Sequence, residues 1–331
     1  MAASRARRNL LIFAGLVAGV AALLVYARFR REVAGAWERV ATGSRVVTTA
    51  CGPIEYAEHG DGPAVLIIHG AGGGFDQGMQ LAGDGLAHPG FRVIAPSRFG
   101  YLRTPLPPDA SVDAQARAHA CLLDALGIRR AAIVGVSAGG PSALQFALLF
   151  PERTQALVLL VPALFSLDPG ARPAARASAV TMFLFDTALR SDFLFWAGAK
   201  VARRLFVRGI LGTPPAAVDR ASASEQARVA AMLDSILPVS PRRLGLLNDA
   251  RVLSSLGGFP VERVAAPTVA ISAHDDGYGT FAGARAAAAR IPHARFVGYP
   301  DGGHLLVGHQ PEAWGEITAL LRATAGSASA R

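Results

Sequence analysis

Six short apolar runs recur along the chain with helical stretches between them. They are "AVLIIH" (64–69), "FRVIAP" (91–96), "AAIVGV" (131–136), "QALVLLVP" (155–162), "APTVAISA" (266–273) and "ARFVGYP" (294–300). The intervening "VDAQARAHACLLDALGI" (112–128), the Ala-rich stretch 280–290 and the closing "PEAWGEITALLRAT" (311–324) carry helical spacing. Strands apolar on both faces have no solvent side, so they belong to a parallel sheet covered by helices on each face. The expected class is α/β. Residues 163–255 break the alternation with helical material only, which reads as a helical cap inserted between two core strands. Its Phe183, Phe185, Phe193, Phe195 and Trp196 serve either as helical core or as apolar pocket walls.

At one strand-to-helix junction stands Gly135-Val136-Ser137-Ala138-Gly139. A sharp turn there lifts the serine hydroxyl above the sheet in a strained conformation. The positions two before and two after are pressed together and leave no room for a Cβ, hence the glycines. The following helix points its positive end at Ser137.

A serine hydroxyl needs a base. His304, in the Gly-rich "YPDGGHLLVGHQPE" after the last strand, is the candidate. His59, His88, His119 and His293 fall on predicted surface turns or helix faces, and His309 opens the closing helix. The imidazole needs an orienting acid after the preceding strand. "ISAHDDGYG" offers Asp275 and Asp276 there; one of them is expected to face the histidine and the other to be solvated or to cap the next helix. A third loop, "LIIHGAGGGFDQG" (66–78), runs from a strand into His69-Gly70-Ala71-Gly72-Gly73-Gly74. Backbone N–H groups of Ala71, Gly72 and Ala138 are candidates for an oxyanion site. The loop lacks the Gly-Lys-Ser/Thr and Gly-x-Gly-x-x-Gly of nucleotide sites. No metal-ligand spacing occurs, and no cofactor is expected.

The formal charge of +9 does not signal nucleic acid. Residues 1–45 hold eight arginines against Glu32 and Glu38, and the rest of the chain mixes both signs without a DNA-binding motif. Within that segment the uncharged run from Asn9 to Ala27 is flanked by Arg5, Arg7 and Arg8 and by Arg28, Arg30 and Arg31. At about 1.5 Å per residue it just spans a bilayer. Residues 1–31 therefore read as a single-pass membrane anchor and 32–45 as a short linker. The balanced flanks leave orientation open. The alternative is a cleaved export signal ending at "VYA", with "RRNLL" a weak twin-arginine resemblance. Residues 324–331 read as a disordered tail. Cys51 and Cys121 lack metal or redox spacing and read as free or buried thiols.

Over residues 46–323 the chain resembles the α/β-hydrolase superfamily. The likeness rests on "HGAGGG", "SRFGYLRTP", "GVSAGG", "SAHDDG" and "GGH", with nucleophile, acid and histidine in the family's order. It implies an eight-stranded, mostly parallel sheet, with core residues 46–162 and 256–323 and a cap at 163–255 after the sixth strand. It also implies Asp276 as the acid, with Ala273 replacing the usual glycine of a Gly-x-x-Asp string. The interval from Asp276 to His304 is similar to that of capped C–C bond hydrolases and esterases. Serine at 137 departs from the aspartate of dehalogenase and epoxide-hydrolase branches. "SRFGYLRTP" lacks the leading aspartate and closing serine of the family's loop. The expectation is a membrane-anchored serine hydrolase cleaving a small or medium apolar carboxylic ester. Ser137 is its nucleophile, His304 its base and Asp276 its orienting acid. Alternatives are C–C bond hydrolysis of β-diketone-like substrates, acyl transfer, or a non-catalytic binding protein on the same fold.

Overall fold

Alternate residues of the central strands feed two opposite apolar layers. In the computed structural model, which describes residues 2–85, 90–164 and 186–328, eight strands form one sheet. They are β1 (Arg45–Thr49), β2 (Gly52–His59), β3 (Ala64–Ile68), β4 (Arg92–Pro96), β5 (Ala131–Val136), β6 (Thr154–Leu160), β7 (Thr268–Ala273) and β8 (Ala294–Tyr299). Their spatial order is β1-β2-β4-β3-β5-β6-β7-β8. Strands β3 to β8 run parallel, and the β1–β2 hairpin adds antiparallel at the β4 edge. Val65, Ile67, Val134, Val158 and Val269 pack under α2 (Phe75–Gly85) and α11 (Gln310–Ala328). Leu66, Ile68, Ile133, Leu157 and Ala270 pack against α3 (Val112–Ala125), α4 (Gly140–Leu149) and α10 (Thr280–Arg290). Period-two side chains thus cover both faces.

Between β6 and β7 the chain builds α5 (Asp192–Val201), α6 (Arg203–Gly209), α7 (Pro215–Arg220), α8 (Ala223–Asp234) and α9 (Arg243–Leu253). These helices enclose a small core of their own around Leu189, Val207, Leu233 and Val239. The first part of the expected cap, with Phe183 and Phe185, lies outside the described residues, as does His88.

Three expectations are corrected. Residues 32–45 are not a free linker: α1 (Ala2–Thr42) continues unbroken through the apolar run and beyond it. Val33, Ala36 and Val40, on one helical face, are buried. Val33 and Ala36 meet Trp196 and Leu237 of the cap region, and Val40 meets Phe75 and Ala57. The start of the expected tail is helical, since α11 reaches Ala328; residues 329–331 lie outside the described ones. Cys51 and Cys121 are not free thiols but form a disulfide across a separation of 70 residues, with Cα atoms 6.0 Å apart. The β1–β2 turn brings Cys51 against α3, a long-range approach that spacing alone does not encode.

Closing a loop of that length constrains the unfolded chain by roughly 4 kcal/mol. The Cys51→Ser/Cys121→Ser double variant is expected to lose about that much in chemical denaturation, and the unreduced native protein to show no free thiol after unfolding.

Candidate active site

Ser137 follows the last residue of β5 with φ of 49°, in the left-handed region that a serine adopts only under constraint. The constraint is crowding. A Cβ on Gly135 would stand 2.4 Å from Ala143 Cβ and 3.0 Å from Gly140 Cα. One on Gly139 would stand 2.4 Å from the Ile68 carbonyl oxygen. The strand and helix therefore close on each other only with glycine at both positions. A 3-10 turn, Ser137–Gly139, leads into α4, so the N–H of Ala138 has no intrahelical acceptor.

Asp276 and His304 come together. His304 Nδ1 lies 2.8 Å from Asp276 Oδ2. The same oxygen accepts from Thr280 Oγ1 at 2.5 Å, and Oδ1 accepts from the Tyr278 N–H at 2.8 Å. Burial would push the Asp276 carboxyl up. Hydrogen bonding and attraction from His304, with the Thr280 and Tyr278 donors, outweigh it and hold the group below the ordinary carboxylate range. Tyr278 also packs edge-on to His304 with ring centres 4.8 Å apart. Asp275, half-buried, is not a helix cap: its Oδ1 accepts the Gly303 N–H at 2.7 Å and so ties the acid loop to the histidine loop. The carbonyl of Gly212 joins both loops to the cap, accepting from Gly277 N at 2.8 Å and from His304 N at 3.2 Å.

The glycine loop rests on charged groups that the sequence reading did not single out. Arg98 is fully buried and forks onto Asp249 of α9, with both N–O distances 2.6 Å. It also donates to the carbonyls of His69 and Gly70 at 2.9 and 3.1 Å. Tyr101 Oη donates to Asp249 at 2.6 Å and accepts the Gly72 N–H at 3.3 Å. Gly72, expected as an oxyanion donor, thus has its N–H engaged, and φ of 74° turns the chain there. His69 is held well below its usual pKa by burial and then by Arg98, so the ring is neutral. Its Nε2 accepts the Arg98 N–H at 3.0 Å, which assigns the proton to Nδ1, donated to the Gly70 carbonyl at 2.7 Å. Arg242, likewise fully buried, donates to the Gly73 carbonyl at 2.6 Å and pairs with Asp76 at 2.7 Å. Asp76 in turn receives Arg39 of α1 at 3.5 Å.

Only one local signal pointed to this network. "SRFGYLRTP" departs from the family's loop, and Arg98 and Tyr101 are what it carries instead. Their partner Asp249 sits 151 residues from Arg98, beyond any spacing rule.

Ser137, His304, Ala71, Gly72 and Ala138 line one cavity of about 500 Å³ between sheet and cap. Its walls are mainly apolar, with Phe195, Phe206, Ile236 and Leu246 from the cap side and Leu160 and Trp314 from the core. Among the described residues, the arginine and aspartate that border it are partnered: Arg228 with Glu225, and Asp249 with Arg98. Of the cap aromatics, Phe195 is pocket wall, whereas Trp196 is buried against α1.

Among curated proteins, the chain is similar to a 2-hydroxy-6-oxo-6-phenylhexa-2,4-dienoate hydrolase of Comamonas testosteroni, 38% identical over 117 residues; the match spans 33% of this chain and 40% of that protein. A 2-hydroxymuconate semialdehyde hydrolase of Pseudomonas putida is 42% identical over 106 residues, 31% of this chain and 37% of that protein. The chain thus spans about two fifths of the length of these curated relatives. Among solved structures, an alpha/beta hydrolase fold protein from Nakamurella multipartita superposes with a TM-score of 0.66 at 26% identity, covering 86% of this chain and 99% of that one. The family model of the alpha/beta hydrolase fold matches residues 63–309, and the chain belongs to that family.

Proposed function

We propose that the protein is a serine hydrolase that cleaves a neutral, apolar carboxylic ester through an acyl-enzyme. The reading rests on the hydrogen-bonded His304–Asp276 pair and the strained Ser137 bordering one apolar cavity. Ser137 Oγ attacks the acyl carbon while His304 Nε2 takes its proton. The imidazolium so formed is stabilised by Asp276, ionised at neutral pH. The N–H groups of Ala71 and Ala138 receive the developing oxyanion. His304 then protonates the leaving alcohol, and a water deprotonated by the same ring attacks the acyl carbon, releasing the acid and restoring Ser137. Substrate neutrality follows from the lining: among the described residues, the arginine that borders the cavity already has a carboxylate partner.

A second reading is C–C bond hydrolysis, favoured by the names of the curated relatives. Those names denote substrates with a carboxylate, which needs a cation at the far end of the pocket. Neutral esters of graded acyl length, set against a 2-hydroxy-6-oxo-dienoate, separate the readings. Ester turnover without dienoate turnover is expected.

The apolar part of α1 supports membrane attachment. Its most apolar 18-residue window has mean hydropathy 2.5 and no buried residue. The Cys51–Cys121 disulfide supports a hydrolase domain on the oxidising side of that membrane.

Ser137→Ala is expected to abolish fluorophosphonate labelling and ester turnover. Asp276→Asn should lower kcat by roughly four orders of magnitude through loss of the correct tautomer, whereas Asp275→Asn, which keeps an oxygen acceptor for Gly303, should retain most activity. The reverse order would move the acid to Asp275. Tyr101→Phe frees the Gly72 N–H and leaves Asp249 one donor short. A loss of about 1–3 kcal/mol in stability by denaturant titration is expected, with kcat lowered more than KM. Full-length protein should sediment with membranes and need detergent for release. A chain beginning at Arg28 should be soluble and active, because it keeps Val33, Ala36 and Val40. Beginning at Ser44 instead should cost roughly 2–4 kcal/mol of stability, from the burial lost at those three side chains.

A further inference from the structure

We propose that the outer face of cap helices α5 and α6 is a docking surface for an anionic lipid bilayer. The inference rests on the reading of α1 as a membrane anchor and goes beyond it, to how the catalytic domain lies on the membrane.

Four large apolar side chains on this short helix pair face outward. Phe193 is 40% exposed, Leu194 53%, Val201 89% and Leu205 70%. On a soluble domain such a cluster is costly and marks an interaction surface. Its position selects the occupant. The uncharged run of α1 ends at Ala27, so Tyr26 and Phe29 stand where the helix leaves the hydrocarbon. Phe29 packs edge-on to Phe193 at 5.0 Å between ring centres and lies 5.5 Å from Trp196. Trp196 is fixed to α1 a second time through its Nε1, which donates to Glu32 at 2.8 Å, and Lys200 of the same helix pairs with Glu32 at 2.9 Å. Helix α5 is therefore clamped at the depth where the anchor crosses from lipid to water, the depth at which aromatic side chains collect.

Charge agrees with the assignment. Arg28, Arg30 and Arg31 of α1 and Arg204 and Arg208 of α6 are exposed on the same helical segments; Arg28 pairs with Glu32 and Arg204 with Asp219, which leaves Arg30, Arg31 and Arg208 without an ion pair among the described residues. Exposed apolar side chains with such cations beside them are the pattern of a segment lying in the headgroup layer of an anionic membrane. The opposite side of the same helices faces the cavity through Phe195 and Phe206. Leu194 both borders the cavity and is more than half exposed, so the surface that meets lipid is continuous with the pocket wall.

The test uses the full chain in vesicles of phosphatidylcholine and phosphatidylglycerol. Because Cys51 and Cys121 are paired, Leu205→Cys supplies the thiol for an environment-sensitive fluorophore. Arg129→Cys, exposed at the amino end of β5, is the control. The label at 205 is expected to shift to the blue and to lose most of its emission to lipids carrying a shallow acyl-chain quencher, while the label at 129 does neither. Arg204→Glu/Arg208→Glu should lessen the quenching at 205, as should replacing phosphatidylglycerol by phosphatidylcholine. Protein that does not float with vesicles overturns the anchor, and the docking with it. Floating protein whose 205 label stays unquenched by lipid overturns the docking alone. Lipid-independent self-quenching that rises with protein density assigns the face to a second copy and likewise overturns the proposal.

Discussion

Two buried guanidinium–carboxylate pairs hold the glycine loop to the cap, and the site depends on them. Arg98 with Asp249 grips the carbonyls of His69 and Gly70; Arg242 with Asp76 grips that of Gly73. Each fork bonds both carboxylate oxygens, which offsets the desolvation that burial imposes on the ions. A run of glycines has little conformational preference of its own. Its shape is set from outside, by cations that bind the carbonyls of His69, Gly70 and Gly73 on either side of Ala71. Hydrophobic residues in these places would fill the volume but would leave the loop carbonyls unpaired in a dry interior.

The same network reaches α1. Arg39 shares Asp76 with Arg242 and donates to the carbonyls of Ser235 and Leu237. The segment between the apolar run and the sheet is therefore docked rather than a tether. It couples the apolar run to both cap and core within a few side chains. A flexible linker would let the two turn independently, whereas a helix docked through Val33, Ala36 and Val40 fixes the direction in which the apolar run leaves the domain.

The parts legible in the sequence are those encoded locally. Strands β3 to β7 appear as apolar runs because both their faces are buried, and the elbow appears because crowding demands glycine at 135 and 139. The hairpin β1–β2 was not legible: it lies at the sheet edge, where exposed and buried positions mix and the period blurs. Asp276 and Asp275 stand side by side, and composition alone could not divide their tasks; backbone direction sends one to the imidazole and the other to the Gly303 N–H. The pairings of Arg98 with Asp249, Arg242 with Asp76 and Cys51 with Cys121 join residues 70 or more positions apart. No periodicity carries such information; only the closed fold brings these groups together.

The carbonyl of Gly212 accepts two N–H groups at once, one from the acid loop and one from His304. Cap and the Asp276–His304 pair are thus spliced through a single peptide unit. A cap transplanted from a relative at the ends of β6 and β7 would bring its own pocket walls but would lose this splice unless its turn presented a carbonyl at the same point. Exchange of specificity by grafting is therefore confined to helices on either side of residues 211–213, with that turn left in place as the fixed joint.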